Sequence, residues 1–128
     1  MSRRFAWFLV LLQVSILMVG TQMPGAWRSA AEHGLHAPFP LSSLAHLVLF
    51  SGIALVLSMR PIARPAGRVV LLTLGLALLS EGLQFFAVER HPRLMDVGID
   101  MTGALLGLVC GCRLKAGSLI EMTRRRQD

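Results

Sequence analysis

The chain has 128 residues, enough for one domain. Hydrophobic residues make up 54%, charged residues only 16%, and mean hydropathy is +0.62; the charges gather at loops and ends, a pattern that excludes an ordinary soluble globule. The net charge of +6 does not point to nucleic acid, because the basic residues flank apolar stretches without interleaved aromatics, and anionic lipid headgroups account for it better.

Four apolar segments predict four membrane-spanning helices. The first, residues 5–20, follows Arg3 and Arg4. Its charged flank resembles that of a secretory signal peptide, but it is long and no small-x-small cleavage site follows closely, so it reads as a retained helix. Residues 22–42 are polar and interrupted by Pro24, Pro38 and Pro40. Glu32, His33 and His36 fall here with no spacing that would align them on a metal, and the stretch reads as a solvated loop.

The second span, residues 43–59, ends at Arg60-Pro61. The link after it holds Arg60, Arg64 and Arg68 and no acid, with Pro61, Pro65 and Gly67 keeping it non-helical. The third span, residues 69–88, is almost purely aliphatic in its first half and carries Ser80, Glu81 and Gln84 in its second. Residues 89–95 turn the chain into the fourth span, residues 96–112. There Gly103, Gly107 and Gly111 recur every four residues, a stripe that lets helices approach closely in lipid. Cys110 and Cys112 read as small packing residues, since their spacing suits neither a disulfide framework nor a metal motif. The basic tail, residues 113–128, reads as an interfacial or frayed helix. The expectation is one all-α domain over residues 1–128: an integral membrane four-helix bundle made of two helical hairpins.

Orientation follows from the basic residues. Arg3, Arg4, Arg60, Arg64, Arg68, Arg113, Lys115, Arg124, Arg125 and Arg126 fall on one side, against Arg28, Arg90 and Arg93 on the other. The positive-inside rule then puts both termini in the cytoplasm and makes the chain a multi-pass protein of a cytoplasmic membrane.

Depth groups the polar residues. His46 lies at the outer start of the second span, Glu81 and Gln84 in the outer half of the third, and Asp96 and Asp100 at the outer start of the fourth. Glu81 and Gln84 share one helical face, as do Asp96 and Asp100, and Gly103 and Gly107 continue the acidic face inward. An ionised carboxylate deep in a span costs roughly 2.5–3.5 kcal/mol. These acids are therefore expected to face the bundle and to be paired, wetted or protonated, with Arg90 folding back over them.

The order Glu81, Gln84, Arg90, Asp96, Gly103, Gly107, with His46 at the start of the preceding span, resembles the VanZ-like family, named for a teicoplanin-resistance protein. That family's signature is Glu-x-x-Gln, an Arg six residues on, an Asp six after it, then an Asn and spaced glycines. The resemblance covers roughly residues 43–111. Two departures make the patch here more acidic: Asp100 stands at the family's Asn, and Ser42-Ser43 replace the Asp-Lys often found ahead of the histidine. The resemblance implies a bacterial cell-envelope protein linked to glycopeptide resistance, and by itself it assigns no reaction.

Three functions compete. An envelope protein that binds or modifies an amphiphilic or lipid-linked ligand at the outer leaflet would use His46, Glu81, Gln84, Arg90, Asp96 and Asp100 as ligand-binding groups. Within that set His46, Glu81 and Asp96 are the candidate acid–base groups. A small proton-coupled transporter would use Glu81 but needs access from both sides. A structural or assembly factor for an envelope complex would instead use the glycine stripe. No nucleophile motif accompanies His46, so whether the protein is an enzyme stays open. No cofactor and no metal site is expected: a cation bridging Glu81, Asp96 and Asp100 lacks diagnostic spacing, and Arg90 can neutralise the same charge.

Overall fold

The computed structural model describes residues 1–34, 40–86 and 94–124. They form five helices: α1 (Arg3–Gln22), α2 (Gly25–Gly34), α3 (Leu41–Ser58), α4 (Ala66–Gln84) and α5 (Leu94–Arg124). Four of these, α1, α3, α4 and the part of α5 up to Gly117, are long and apolar enough to cross a membrane. They are the four segments the composition marks.

Local chemistry sets where the helices begin and end. The Ser2 side chain caps α1 by accepting from the Phe5 N–H at 3.2 Å. Pro40 and Pro65 occupy the N-cap positions of α3 and α4. A proline there stops the preceding chain and removes no helical hydrogen bond. Consequently α3 starts at Leu41 and α4 at Ala66, and Gly67 and Arg68 belong to a helix, not to the loop expected for them. At its far end α4 stops at Gln84 and not at Val88. The Phe85 N–H turns back onto the Gly82 and Leu83 carbonyls, and Phe85 and Phe86 are exposed.

Two further departures concern the polar segments. The stretch between α1 and α3 contains α2, where a solvated loop was expected. The prolines at 24 and 38 bracket this run and do not interrupt it, and the residues of α2, with three alanines and a glutamate, favour a helix. Glu32 and His33 lie on α2, whereas His36 is outside the described residues. At the other end, α5 runs for 31 residues. That is about 46 Å at 1.5 Å per residue, against roughly 30 Å of hydrocarbon, so its last turns extend past the apolar span into the basic tail.

Each spanning helix turns large apolar side chains outward, among them Phe8 and Leu11 on α1, Val48 on α3, Leu71 on α4 and Leu105 on α5. In water such faces would drive aggregation; in a bilayer they meet acyl chains. Inside, α1 pairs with α3 and α4 with α5, and α3 touches all three other spans, α5 most closely. Two buried apolar layers fill the bundle. One holds Leu17, Phe50 and Ala77; the other centres on Val10, Ile53, Leu57, Val69 and Leu108. Buried hydroxyls are satisfied within their own helices: Thr21 Oγ donates to the Met18 carbonyl (2.8 Å), Thr73 to Val69 (2.9 Å) and Ser80 to Ala77 (2.9 Å).

Candidate functional site

The closeness of α3 and α5 depends on missing side chains. A Cβ on Gly103 would meet the Leu47 carbonyl oxygen of α3, and one on Gly107 the Ser51 carbonyl oxygen, with the Leu55 nitrogen 3.0 Å away. One on Gly111 would run into the Ser58 hydroxyl. The glycine stripe is therefore the face of α5 that lies on α3, and helix backbones meet along it. One turn above Gly103 on the same face stands Asp100, which is fully buried.

Asp100 is brought directly against His46 of α3: Nδ1 and Oδ1 are 2.8 Å apart, and His46 is only 9% exposed. With Asp100 ionised, its oxygen can only accept, so Nδ1 is the donor in this contact and Nε2 is the acceptor whenever the ring is neutral. The ring also lies nearly parallel to Phe50 one turn below, with centroids 6.4 Å apart and an interplanar angle of 16°. Packing on one side and a carboxylate on the other thus hold the imidazole in one orientation. The second oxygen, Asp100 Oδ2, is buried and has no hydrogen-bond partner among the described residues.

Around this pair stand the remaining acids. Asp96 and Glu81 lie near enough for their charge to act on His46. Asp96 occupies the first turn of α5, where the helix dipole favours a negative charge. Glu81 and Gln84 are 6% and 2% exposed, and the Gln84 amide donates to Glu81 Oε1 at 2.6 Å. Three helices therefore contribute to one polar cluster: α3 gives His46, α4 gives Glu81 and Gln84, and α5 gives Asp96 and Asp100. Arg90, expected to fold over it, lies outside the described residues. Among the described residues no three His, Cys, Asp or Glu side chains converge as metal ligands.

The apolar layer of Leu17, Phe50 and Ala77 floors the cluster. On the α1 side, His46 lines a cavity of about 110 Å³ together with Ile16, Leu17, Gly20, Ser42, Ala45 and Leu49. Reading by depth and charge did not single out these cavity residues. One signal was available: Ser42 precedes His46 by four residues and so shares its helical face. Gln13 also went unnoticed. Mid-way along α1, its amide donates to the Leu9 carbonyl at 3.1 Å, and its oxygen fills the space that a side chain on Gly52 would take. The cysteines Cys110 and Cys112 are free and exposed on α5.

Comparison with known proteins gives one finding. A protein-family model described as VanZ/LLP1 matches residues 4–115, most of the chain and all the residues of the cluster. No curated protein and no solved structure matches.

Proposed function

From the chain's belonging to the VanZ/LLP1 family, we propose that it is a multi-pass protein of the bacterial cytoplasmic membrane that binds an amphiphilic or lipid-linked envelope ligand at the outer leaflet, and that this action contributes to resistance to glycopeptides such as teicoplanin. The observation that carries the reading is the buried His46–Asp100 contact, 2.8 Å long, with Glu81 and Asp96 beside it. Intramembrane ionisable groups are costly, and those retained usually mark a ligand or proton site. A purely structural cross-helix link needs one hydrogen bond; this cluster gathers three acids and a histidine from three helices. In this reading the cytoplasmic side holds both termini and the arginine-rich α3–α4 link, and the cluster faces the outer leaflet. Arg90 would read an anionic group of the ligand.

The test is a comparison of Glu81→Gln and His46→Gln with the parent in a host made teicoplanin-tolerant by this protein. Both variants should insert at parental levels and lose the tolerance. Unchanged tolerance in both would sink the proposal.

A second reading draws on Asp100 Oδ2, which has no partner among the described residues and would suit an exchangeable proton in a small proton-coupled transporter. The apolar layer under the cluster weighs against it, since a transporter needs a route to the other face. Substrate uptake into vesicles that depends on a pH gradient and disappears with Glu81→Gln would favour the transporter.

A further inference from the structure

The cluster has one side that opens away from α4 and α5. Among the described residues, the cavity of about 110 Å³ beside His46 is lined by α1 and α3 alone. Small residues make it: Gly20 on α1, where a Cβ would meet nothing within 4 Å among the described residues, and Ala45, exposed on α3. Its walls are Ile16, Leu17 and Leu49, and its polar lining is Ser42 and His46. Ile16 is 51% exposed and Val48, next to Leu49, is 59% exposed, so this mouth lies on the bundle surface that lipid covers. Nδ1 of His46 is held by Asp100 of α5. That contact leaves Nε2 as the ring nitrogen not engaged by α5, and His46 is part of the cavity lining.

We propose that the crevice between α1 and α3 is a lateral portal from the bilayer, through which an amphiphile with a hydrogen-bond-donating headgroup, a hydroxyl or an ammonium, presents that donor to His46 Nε2. The chemistry follows from the groups present. Nε2 is an acceptor, the neighbouring charges from Asp96, Asp100 and Glu81 are negative, and the rest of the lining is aliphatic. A donor on a hydrocarbon chain meets all three conditions, because the chain stays in lipid against Ile16 and Leu49 while the head reaches the imidazole. Asp100 acts here as a positioning residue: it fixes the tautomer that leaves Nε2 basic. The inference deepens the proposed ligand-binding function by naming the route, the contact atom and the class of headgroup.

The experiment uses the full-length protein in nanodiscs and diethyl pyrocarbonate as probe. The neutral imidazole nitrogen attacks a carbonyl of the reagent, forming the N-carbethoxy bond and releasing ethyl carbonate, which breaks down to ethanol and carbon dioxide. Peptide mass spectrometry resolves His46 from the other three histidines. His46 should react in the parent, and Gly20→Leu, which fills the mouth, should slow it about tenfold. Gly75→Leu adds the same side chain to α4 where a Cβ also meets nothing within 4 Å, and should leave the rate unchanged. Dodecanol or dodecylamine should protect His46. Protection by the alcohol alone means hydroxyl headgroups, by the amine alone ammonium headgroups, and either supports the proposal. Equal protection by dodecyl sulfate, which offers no donor, overturns the headgroup class; labelling unaffected by Gly20→Leu overturns the portal. The two readings fail separately. If Glu81→Gln abolishes teicoplanin tolerance but Gly20→Leu does not, the portal is wrong and the function stands; if neither matters, the function itself is wrong.

Discussion

His46→Ala offers the sharpest test of whether the α3–α5 contact holds a buried carboxylate charge on Asp100. The substitution removes the imidazole and leaves Asp100, with no exposed surface, lacking the partner of Oδ1 while Oδ2 already has none among the described residues. Breaking a buried pair from one side costs roughly 3–5 kcal/mol, because a charge is left without compensation. Asp100→Asn does the opposite. The amide oxygen still accepts from Nδ1–H, the buried charge disappears, and the change should stay within about 1 kcal/mol, in line with cross-helix hydrogen bonds in membranes. The double variant keeps no buried charge and loses only the bond and the stacking on Phe50, so it should cost about 1–2 kcal/mol, less than His46→Ala alone. Unfolding by dodecyl sulfate in mixed micelles, followed by circular dichroism, gives all four stabilities. A double variant as unstable as the sum of the two singles, or an Asp100→Asn as damaging as His46→Ala, would refute a buried carboxylate charge on Asp100.

Other expectations follow from the packing. Gly107→Ala forces a methyl against the Ser51 carbonyl and should destabilise by roughly 1–3 kcal/mol, whereas Gly75→Ala, in open space, should gain up to about 1 kcal/mol from helix propensity; the same micelle assay compares them. Gly111→Ala should cost less than Gly107→Ala, since its obstacle is chiefly the Ser58 hydroxyl and not backbone. Gln13→Leu should destabilise with little effect on teicoplanin tolerance, because that amide packs against α3 at Gly52, away from the cluster. Single cysteines placed at Arg64 and at Trp27, in a chain whose Cys110 and Cys112 are replaced by serine, should react with a membrane-impermeant maleimide from opposite faces: the first only after the cytoplasmic side is opened, the second in intact cells.

How much of this was readable beforehand depends on what lipid enforces. A spanning segment must satisfy its backbone internally and be apolar over its length, so four helices could be read from hydropathy alone. Their ends differ by a few residues because proline at an N-cap marks where a helix starts, whereas composition alone makes Pro40 and Pro65 look like loop residues. Helix α2 escaped because it is ten residues long and carries no spanning signal. Within the polar set, depth could group His46, Glu81, Gln84, Asp96 and Asp100, but it could not say which acid meets the histidine. The answer depends on helix pairing, and α3 shows no clear pattern that marks it as the partner of α5: Leu47 and Leu55 look like any aliphatic positions, Ser51 is a single small residue between them, and what recommends all three is backbone accessible to a glycine.

The seam itself links the packing to the site. Along α5, Asp100 meets His46, Gly103 meets Leu47, Gly107 meets Ser51, and Gly111 lies by Leu55 and Ser58. Both numbers rise together, so α3 and α5 run parallel and start at the same face of the bundle. The three glycines hold a constant register, and that register delivers Asp100 to His46. A slip of one residue on α5 would rotate Asp100 by about 100° around the helix, away from the imidazole, and leave both groups buried without each other. A close backbone contact extending about 16 Å along α5 from Asp100 thus fixes the geometry of one 2.8 Å hydrogen bond at its start. This gives the glycines a consequence for function as well as stability: enlarging Gly107 should disturb the His46–Asp100 contact from seven residues away, and the loss should appear as a change in the reactivity of His46 even in detergent conditions where the variant remains folded.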